Sequence, residues 1–201
     1  MLKKQLVWFK NHYFKKSYYF TQRFKNIHLS GFDLIARCTR SNILPCLILL
    51  RYDWIQQFIF CIDIIAADKP GKKYRFTIIY NLLSTVFNSR FQLSTQTTAL
   101  KGLYTIYILY ASATWSEREL WDMFGIFVLF HLDLRRLLTD YGFDGYPLRK
   151  DFPLTGYKEV LYSDFNKNVI YRSVELIQDY RIYKFLNPWK RKNKCYQLIF
   201  L

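Results

Sequence analysis

This 201-residue chain has few cysteines, and none of them are paired in sequence. Cys38, Cys46, Cys61 and Cys195 form no C-x-x-C motif, which argues against a zinc or iron–sulfur site. Three of them lie in apolar runs, where a free thiol packs as a small hydrophobic side chain. We therefore expect buried free cysteines in a protein of a reducing compartment.

The sequence also lacks the patterns of a membrane span and of common catalytic sites. Its longest charge-free runs, residues 76–89 and 102–116, are shorter than the ~20 residues of a spanning helix. A phosphate-binding glycine loop, a Rossmann fingerprint and an H-E-x-x-H motif are absent, and the three histidines are widely spaced. We predict no transmembrane span and no catalytic residue, cofactor-binding residue or metal ligand in this chain.

Acidic residues are scarce. The chain has 15 Asp and Glu against 30 Lys and Arg, a formal net charge of +15. This balance predicts an anionic partner, which could be nucleic acid, an acidic protein or anionic lipid. The first 32 residues are basic, and two interpretations stay open for them: a cleaved targeting segment or a retained basic helix. The abundant Phe, Tyr, Ile, Asn and Lys indicate AT-rich codons, from an organellar genome or an AT-rich nuclear one.

Hydrophobic residues make up 51% of the chain, enough for a core, and their pattern predicts an α+β fold. We expect a basic segment over residues 1–31, an α+β domain over 32–128, and an extended docking segment with a basic tail over 129–201. Strands are predicted over 32–39, 58–68, 73–84 and 90–97, and a helix over 41–50 that Ser41 or Asn42 opens. The sheet should be small, mixed or antiparallel, with the helices on one face.

A second helix is predicted after Trp115. Ser116 and Glu119 match an S-x-x-E capping box, and Glu117 also suits the positive end of a helix. Gly125 can end the helix in the left-handed conformation. One or two further helical turns are expected over residues 132–138.

Beyond that point the chain loses periodicity and alternates aromatic with charged residues, which favours a segment ordered against a partner. The predicted docking residues are Arg135, Arg136, Tyr141, Phe143, Arg149, Lys150, Asp151 and Phe152. Acid–base roles are conceivable for Glu117, Glu119, Asp122, Asp133, Asp140, Asp144 and Asp151. We interpret these carboxylates as structural instead, through helix capping or pairing with Arg118, Arg135, Arg136, Arg149 or Lys150.

Three motifs carry a family resemblance: ERELWDMFGIF from Glu117, DLRRLLTDYGFDGYPLRKDFPLTGY from Asp133, and KEVLYSD from Lys158. With the flanking sequence, the stretch from Asp63 to Trp189 resembles the thirty-kilodalton subunit family of respiratory complex I, in its mitochondrial form. These motifs are long and follow one another in a specific order, so they identify a family better than composition does.

The resemblance implies a non-catalytic subunit of the peripheral arm of proton-pumping NADH:ubiquinone oxidoreductase, on the matrix side of the mitochondrial inner membrane. Such a subunit packs beside the large subunit of the quinone-reducing module and other peripheral-arm subunits, and binds no nucleic acid. It holds no cofactor itself, because the FMN, iron–sulfur clusters and ubiquinone belong to other subunits. It takes part in respiratory electron transport only as a component of that translocase.

An alternative rests on composition. The net charge of +15 and the 17 tyrosines also suit an organellar ribosomal or RNA-binding protein, in which aromatic rings stack on bases beside basic grooves. Such a protein does not require the three motifs in their fixed order.

Overall fold

The computed structural model describes residues 23–30, 33–54, 56–178, 180, 181 and 183. The interpretations of the first 22 residues, of Cys195 and of the basic tail lie outside the described residues. The described part is a mixed α+β structure, as the sequence predicted. Within it, no helix has both the length and the apolar character needed to cross a bilayer.

Five strands form a mixed sheet in the order β1-β2-β5-β4-β3. Their bounds are β1 Phe24–Ser30, β2 Asp33–Cys38, β3 Phe60–Asp68, β4 Phe76–Ser84 and β5 Ser89–Thr97. The last three form the predicted antiparallel meander, while β2 runs parallel to β5. The four predicted strands are thus confirmed. β1 is an additional strand within the basic segment, so the interpretation of that segment as a basic helix is wrong for residues 24–30.

Two helices cover one face of this sheet. Helix α1 (Ile43–Tyr52) follows a 3-10 turn at Arg40–Asn42, and helix α2 spans Ala113–Phe124. The buried side chains of α1 recur with helical spacing, and they share one core cluster with those of α2 and with alternate residues of β2 to β5. Asn42 is the N-cap residue of α1, as predicted, although its side chain makes no capping bond.

The free cysteines Cys38, Cys46 and Cys61 all lie in this core, which confirms their prediction as small buried hydrophobic side chains. Burial raises the pKa of the Cys61 thiol to about 12. A hydrogen bond with Cys46, together with burial, raises the pKa of Cys38. The Cys38 and Cys61 thiols therefore remain protonated and unreactive at neutral pH.

A short parallel pair, β6 (Leu103–Tyr104) with β7 (Val128–Leu129), lies on either side of α2 in the sequence. The chain divides into two units, residues 1–149 and 150–201. This division differs from the sequence interpretation, which ended the first domain at residue 128. The reason is that side chains of α2 hold residues 130–149 against the first unit.

The second unit contains a hairpin of β8 (Lys158–Ser163) and β9 (Asn168–Ser173). Glu159 and Arg172 face each other across it and form an ion pair of 2.6 Å. None of the described residues of this unit is buried. A two-stranded hairpin without a core is marginally stable in water, so this unit gains little stability from its own contacts.

Candidate functional site

Helix α2 organises the candidate site, and it begins earlier than the sequence predicted. Its first residue is Ala113 and Ser112 is its N-cap, so Ser116 and Glu119 lie inside the helix. The predicted capping box is therefore wrong. The Ser112 hydroxyl donates to the Cys61 carbonyl at 3.2 Å, which ties the helix start to β3 instead of capping the helix.

The predicted end of α2 is confirmed. Gly125 is left-handed, with a φ of 68°, and its N–H donates to the Trp121 carbonyl at 2.9 Å. A Cβ atom at this position would lie 2.6 Å from Cζ of Tyr146. Glycine is thus required twice here, by the backbone conformation and by the close approach of an aromatic ring.

Arg149 completes this helix end. Its Nε donates to the Phe124 carbonyl at 2.6 Å, and its guanidinium lies 4.2 Å from the centroid of the Tyr146 ring. The last carbonyls of a helix lack intrahelical partners and carry partial negative charge. The Arg149 guanidinium supplies a hydrogen-bond donor and a positive charge to such a carbonyl, and the Tyr146 ring holds the guanidinium in place. Arg149 therefore joins residues beyond α2 to the end of the helix.

We call residues 130–149 the strap, because side chains of α2 hold it along its length. Asp122 of α2 is fully buried, and one of its carboxylate oxygens accepts the backbone N–H groups of Leu137, Leu138 and Thr139 at 2.7–3.2 Å. Its other oxygen accepts the Thr139 hydroxyl at 2.6 Å. Burial raises the pKa of Asp122, but these four hydrogen bonds outweigh it and the net pKa is lowered.

These bonds also explain why the strap contains no helix. The amides that a helix over residues 132–138 and its end would use are directed at Asp122. The predicted helical turns over residues 132–138 are therefore wrong. The leucine spacing that suggested it is present, but a buried carboxylate is a stronger acceptor for these amides.

Two arginines complete the attachment of the strap. Arg118 of α2 donates to the carbonyls of Arg135 and Arg136, at 3.1 and 3.3 Å. The Arg136 guanidinium donates to the Gly145 carbonyl at 2.9 Å and lies 5.2 Å from the centroid of the Tyr146 ring. Arg136 is also 3.8 Å from the Asp122 carboxylate. The charged groups of the strap and of α2 thus bond mainly within the chain.

A second buried carboxylate fixes the start of the strap. Glu117 accepts the Thr105 hydroxyl at 2.5 Å and the Ile106 N–H at 2.7 Å, and lies 3.7 Å from Nε2 of His131. Because Nδ1 of His131 accepts the Asp133 N–H at 3.1 Å, the ring proton resides on Nε2. Burial raises the pKa of Glu117 despite these three neighbours. Its predicted capping role is wrong, and its contacts are tertiary.

The outer surface of the strap exposes large hydrophobic side chains among the exposed charged residues Asp133, Arg135, Asp140 and Asp144. Phe130, Leu132, Leu138, Tyr141 and Leu148 each expose more than half of their surface. Phe130 has a φ of 62°, an unusual conformation for a bulky residue, and its ring stacks on Tyr104 at 6.1 Å. Arg136 and Arg149 bond to carbonyls within the chain, while large hydrophobic side chains are exposed beside the remaining charged residues. This mixture of exposed hydrophobic and charged side chains is typical of a protein–protein interface.

The structure separates the predicted docking residues into groups. It brings Arg136, Phe143 and Arg149 together around the Tyr146 ring, while Arg135 and Tyr141 are exposed on the strap. Arg135 pairs with Asp133 at 2.7 Å, as predicted for that carboxylate. In the second unit, Lys150 and Asp151 are exposed, and Phe152 packs edge-on against Tyr157 at 5.4 Å.

Sequence reasoning missed Tyr146, and it named Arg118 and Asp122 only as members of charge pairs. The available signal was the spacing of Arg118 and Asp122, four residues apart on one face of α2. In the described part of the chain, groups of three or more His, Cys, Asp or Glu residues suited to hold a metal ion are absent.

Comparisons with known proteins identify the family of this chain and the fold that it shares with a solved structure. A family model described as the 30 Kd subunit of respiratory-chain NADH dehydrogenase matches residues 36–158, more than half of the chain. The chain is 50% identical to NADH-ubiquinone oxidoreductase subunit 9 of Prototheca wickerhamii over 150 residues, 75% of this chain and 78% of the relative.

Two other relatives extend the similarity. NADH dehydrogenase (ubiquinone) iron-sulfur protein 3 of Beta trigyna is 47% identical over 84% of this chain and 86% of its own length. Subunit 9 of Reclinomonas americana is 43% identical, over 83% of this chain and 81% of its own length.

A solved structure shares the fold. A chain of the membrane-bound sulfane sulfur reductase, an archaeal respiratory membrane complex, superimposes with a TM-score of 0.61 at 21% identity, covering 77% of this chain and 87% of that one. At that identity, the likeness shows the fold alone. The comparisons lend no support to the ribosomal or RNA-binding alternative. The family model and the close relatives show that the chain belongs to the 30-kDa subunit family of respiratory-chain NADH dehydrogenase.

Proposed function

We propose that this chain is a non-catalytic structural subunit of the peripheral arm of NADH:ubiquinone oxidoreductase. In this role the outer surface of the strap docks onto the large subunit that forms the quinone-reducing module. The observation that carries the proposal is the set of exposed hydrophobic side chains on the strap, whose backbone is held from within by Asp122, Arg118 and Arg149. A surface that is ordered before binding loses little conformational entropy when a partner covers it.

The proposal includes no cofactor on this chain, although some relatives have iron-sulfur in their names. A cluster is held by four thiolates in most proteins. Here Cys38, Cys46 and Cys61 are buried and their surroundings favour the protonated thiol at Cys38 and Cys61, so they do not fit a cluster. FMN, the clusters and ubiquinone then belong to other subunits, and the chain contributes to electron transport through assembly.

The proposed location is the matrix side of the mitochondrial inner membrane, peripheral to the bilayer. Partners are the large quinone-module subunit and its neighbours in the arm, and the positive charge of the chain would be matched by their acidic surfaces. The second unit would dock in the same way, because its described residues lack a core.

The strap surface can be tested with two equally exposed side chains. Tyr141 and Leu100 are each 97% exposed, but only Tyr141 lies on the strap. We expect Tyr141→Asp to lower the amount of assembled complex on native gels by roughly thirtyfold, the loss typical of a central interface residue. Leu100→Asp, in the turn after β5, should assemble normally.

Equal assembly of both variants would contradict docking by the strap. Copurification of the wild-type chain with ribosomal RNA, and not with NADH dehydrogenase activity, would overturn the whole proposal. The exposed residues are better probes than the pair Arg149 and Lys150, because replacing Arg149 also removes the bond to the end of α2.

A further inference from the structure

The face of the main sheet opposite the two helices carries an apolar strip. Its members are Phe60 and Ile65 on β3 and Ile79 and Leu83 on β4, and the polar pair Asp63 and Asn81 lies between them. The strand register pairs Phe60 with Leu83 and Ile65 with Ile79, so the four side chains point to the same face. Phe60 is 52% and Ile65 46% exposed, while the two β4 residues are partly buried. The exposed Ile62, at a bulge in β3, adjoins this strip.

The next two strands give the same face a basic and polar border. Arg90 on β5 lies beside Leu83, and Ser94 lies beside Ile79 with Arg37 of β2 as its other neighbour. Gln92 and Gln96 complete the β5 row between and beyond these positions. The face is thus amphipathic across its width, apolar toward β3 and cationic toward β2.

The two arginines have no ion-pair partner in the part of the chain that the structure describes, and both are exposed. Asp63, which shares this face, directs its carboxylate to the Ile64 N–H at 2.7 Å. Two unpaired guanidinium groups beside an apolar strip are complementary to carboxylates that border an apolar stripe.

The dimensions of the strip match one helix. From Ile79 to Leu83 a strand advances about 14 Å, and the two strands together are about 10 Å wide. Three turns of α-helix are about 16 Å long, and a helix with its side chains is about 10 Å across. A helix lying along β3 and β4 would cover the apolar strip and bring one flank over Arg90 and Arg37.

We propose that this sheet face binds an amphipathic helix of another polypeptide, with an apolar stripe on β3 and β4 and Asp or Glu side chains toward Arg90 and Arg37. The surface is separate from the strap, so the inference goes beyond the function proposed above. It describes a second docking site, on the side of the sheet that α1 and α2 leave open.

Charge distinguishes an acidic helix of another polypeptide from three other candidate occupants of this face: the two termini of the chain and a second copy of it. Residues 1–22 contain five lysines and no acidic residue, and residues 190–201 contain four basic residues and no acidic one. Either terminus would place like charges against Arg90 and Arg37. A second copy of the chain would oppose the same arginines, since a two-fold contact pairs identical surfaces. A foreign segment with acidic residues offers the complementary charge that neither terminus supplies.

Site-specific photocrosslinking in the assembled complex tests the proposal. A benzophenone side chain at position 65 should crosslink to a peptide of another subunit, and mass spectrometry of the product should reveal apolar residues at helical spacing bordered by Asp or Glu. The same probe at position 100, which is off this face, should give no crosslink to that peptide. A crosslink to this chain's own termini, to a second copy, or to no protein would overturn the proposal.

A charge reversal supplies the second measurement. Arg90→Glu should weaken retention of the crosslinked subunit about tenfold in salt-wash assays, because it replaces attraction by repulsion. Lys72→Glu, an exposed cation in the turn between β3 and β4, is the matched control and should retain the subunit normally. Equal retention in both variants would overturn the acidic-helix assignment, while failure of the wild-type chain to enter the complex would refute the proposed function instead.

Discussion

Replacing Asp122 by Asn should release the strap from α2 without unfolding the domain core. The substitution keeps the size of the side chain but removes its charge and turns an NH2 group toward backbone donors. Asp122 accepts four hydrogen bonds, from three consecutive amides and the Thr139 hydroxyl, and its side chain is fully buried. Hydrogen bonds to a charged group contribute about 1.5–3 kcal/mol each, but bonds to one carboxylate are not additive.

We therefore expect Asp122→Asn to lower the free energy of opening the strap by about 3 kcal/mol, the lower end of the cost of breaking a buried charge interaction. The assay is hydrogen exchange of the amides of Leu137, Leu138 and Thr139 in the full-length chain. A loss of this size accelerates their exchange roughly a hundredfold. The core amides of β4, which do not depend on the strap, should exchange at wild-type rates.

The pH dependence provides an internal check. The pKa of Asp122 is lower in the folded chain than in the unfolded one. The contribution of Asp122 to holding the strap closed is therefore complete above the ordinary carboxyl pKa. It is lost as the pH falls through the lowered folded-state value, and the wild-type strap amides should then exchange like those of the variant. Asp133→Asn is the control, because Asp133 pairs with Arg135 on the surface. Wild-type exchange at the strap amides in Asp122→Asn would refute the role of this carboxylate in holding the strap.

Two further predictions concern α2. Gly125 and Gly142 both have a φ of 68°, but a Cβ atom meets the Tyr146 ring only at Gly125 and nothing within 4 Å at Gly142. Urea unfolding should show that Gly142→Ala costs about 1 kcal/mol and Gly125→Ala about 3 kcal/mol; equal costs would exclude the close contacts with the Arg149 guanidinium and the Tyr146 ring. The second concerns Glu117, whose pKa is raised by burial, so the folded chain holds this proton more tightly than the unfolded chain. Stability should fall as the pH rises from the ordinary carboxyl pKa through the raised value, and Glu117→Gln should remove that slope; an unchanged slope would assign it to another group.

The parts of the fold that follow from local chemistry were predictable from the sequence. Alternating β-branched residues mark β3, β4 and β5, Pro45 is compatible with the first turn of α1, and Gly125 ends α2 in the left-handed conformation. Each of these features depends on residues that are neighbours in the chain. These features could therefore be predicted without knowledge of the tertiary structure.

The features that sequence reasoning misassigned all depend on distant partners. Ser116 and Glu119 match a capping box, but the helix begins at Ala113, where Ser112 bonds to β3. Glu117 lies in the core because Thr105 and Ile106, on another segment, supply its hydrogen bonds. The bonds that Asp122 and Glu117 make depend on contacts that no spacing along the chain reveals.

The candidate site follows the same division. Its location could be predicted, because the strap is where periodicity ends and aromatic residues alternate with charges. Its orientation could not, because the sequence does not show that Arg136 and Arg149 bond to carbonyls within the chain while Phe130 and Tyr141 face outward. The two classes of residue are interleaved in sequence, and only the fold separates them.

The coreless hairpin of β8 and β9 has a consequence for the lifetime of the protein in the cell. Before a partner covers it, its backbone opens readily, and exposed extended segments are the sites where proteases cleave. Copies made in excess of their partner should therefore be cut within the hairpin and degraded, while incorporated copies persist. The abundance of this chain would then follow the supply of its partner, without a dedicated regulator.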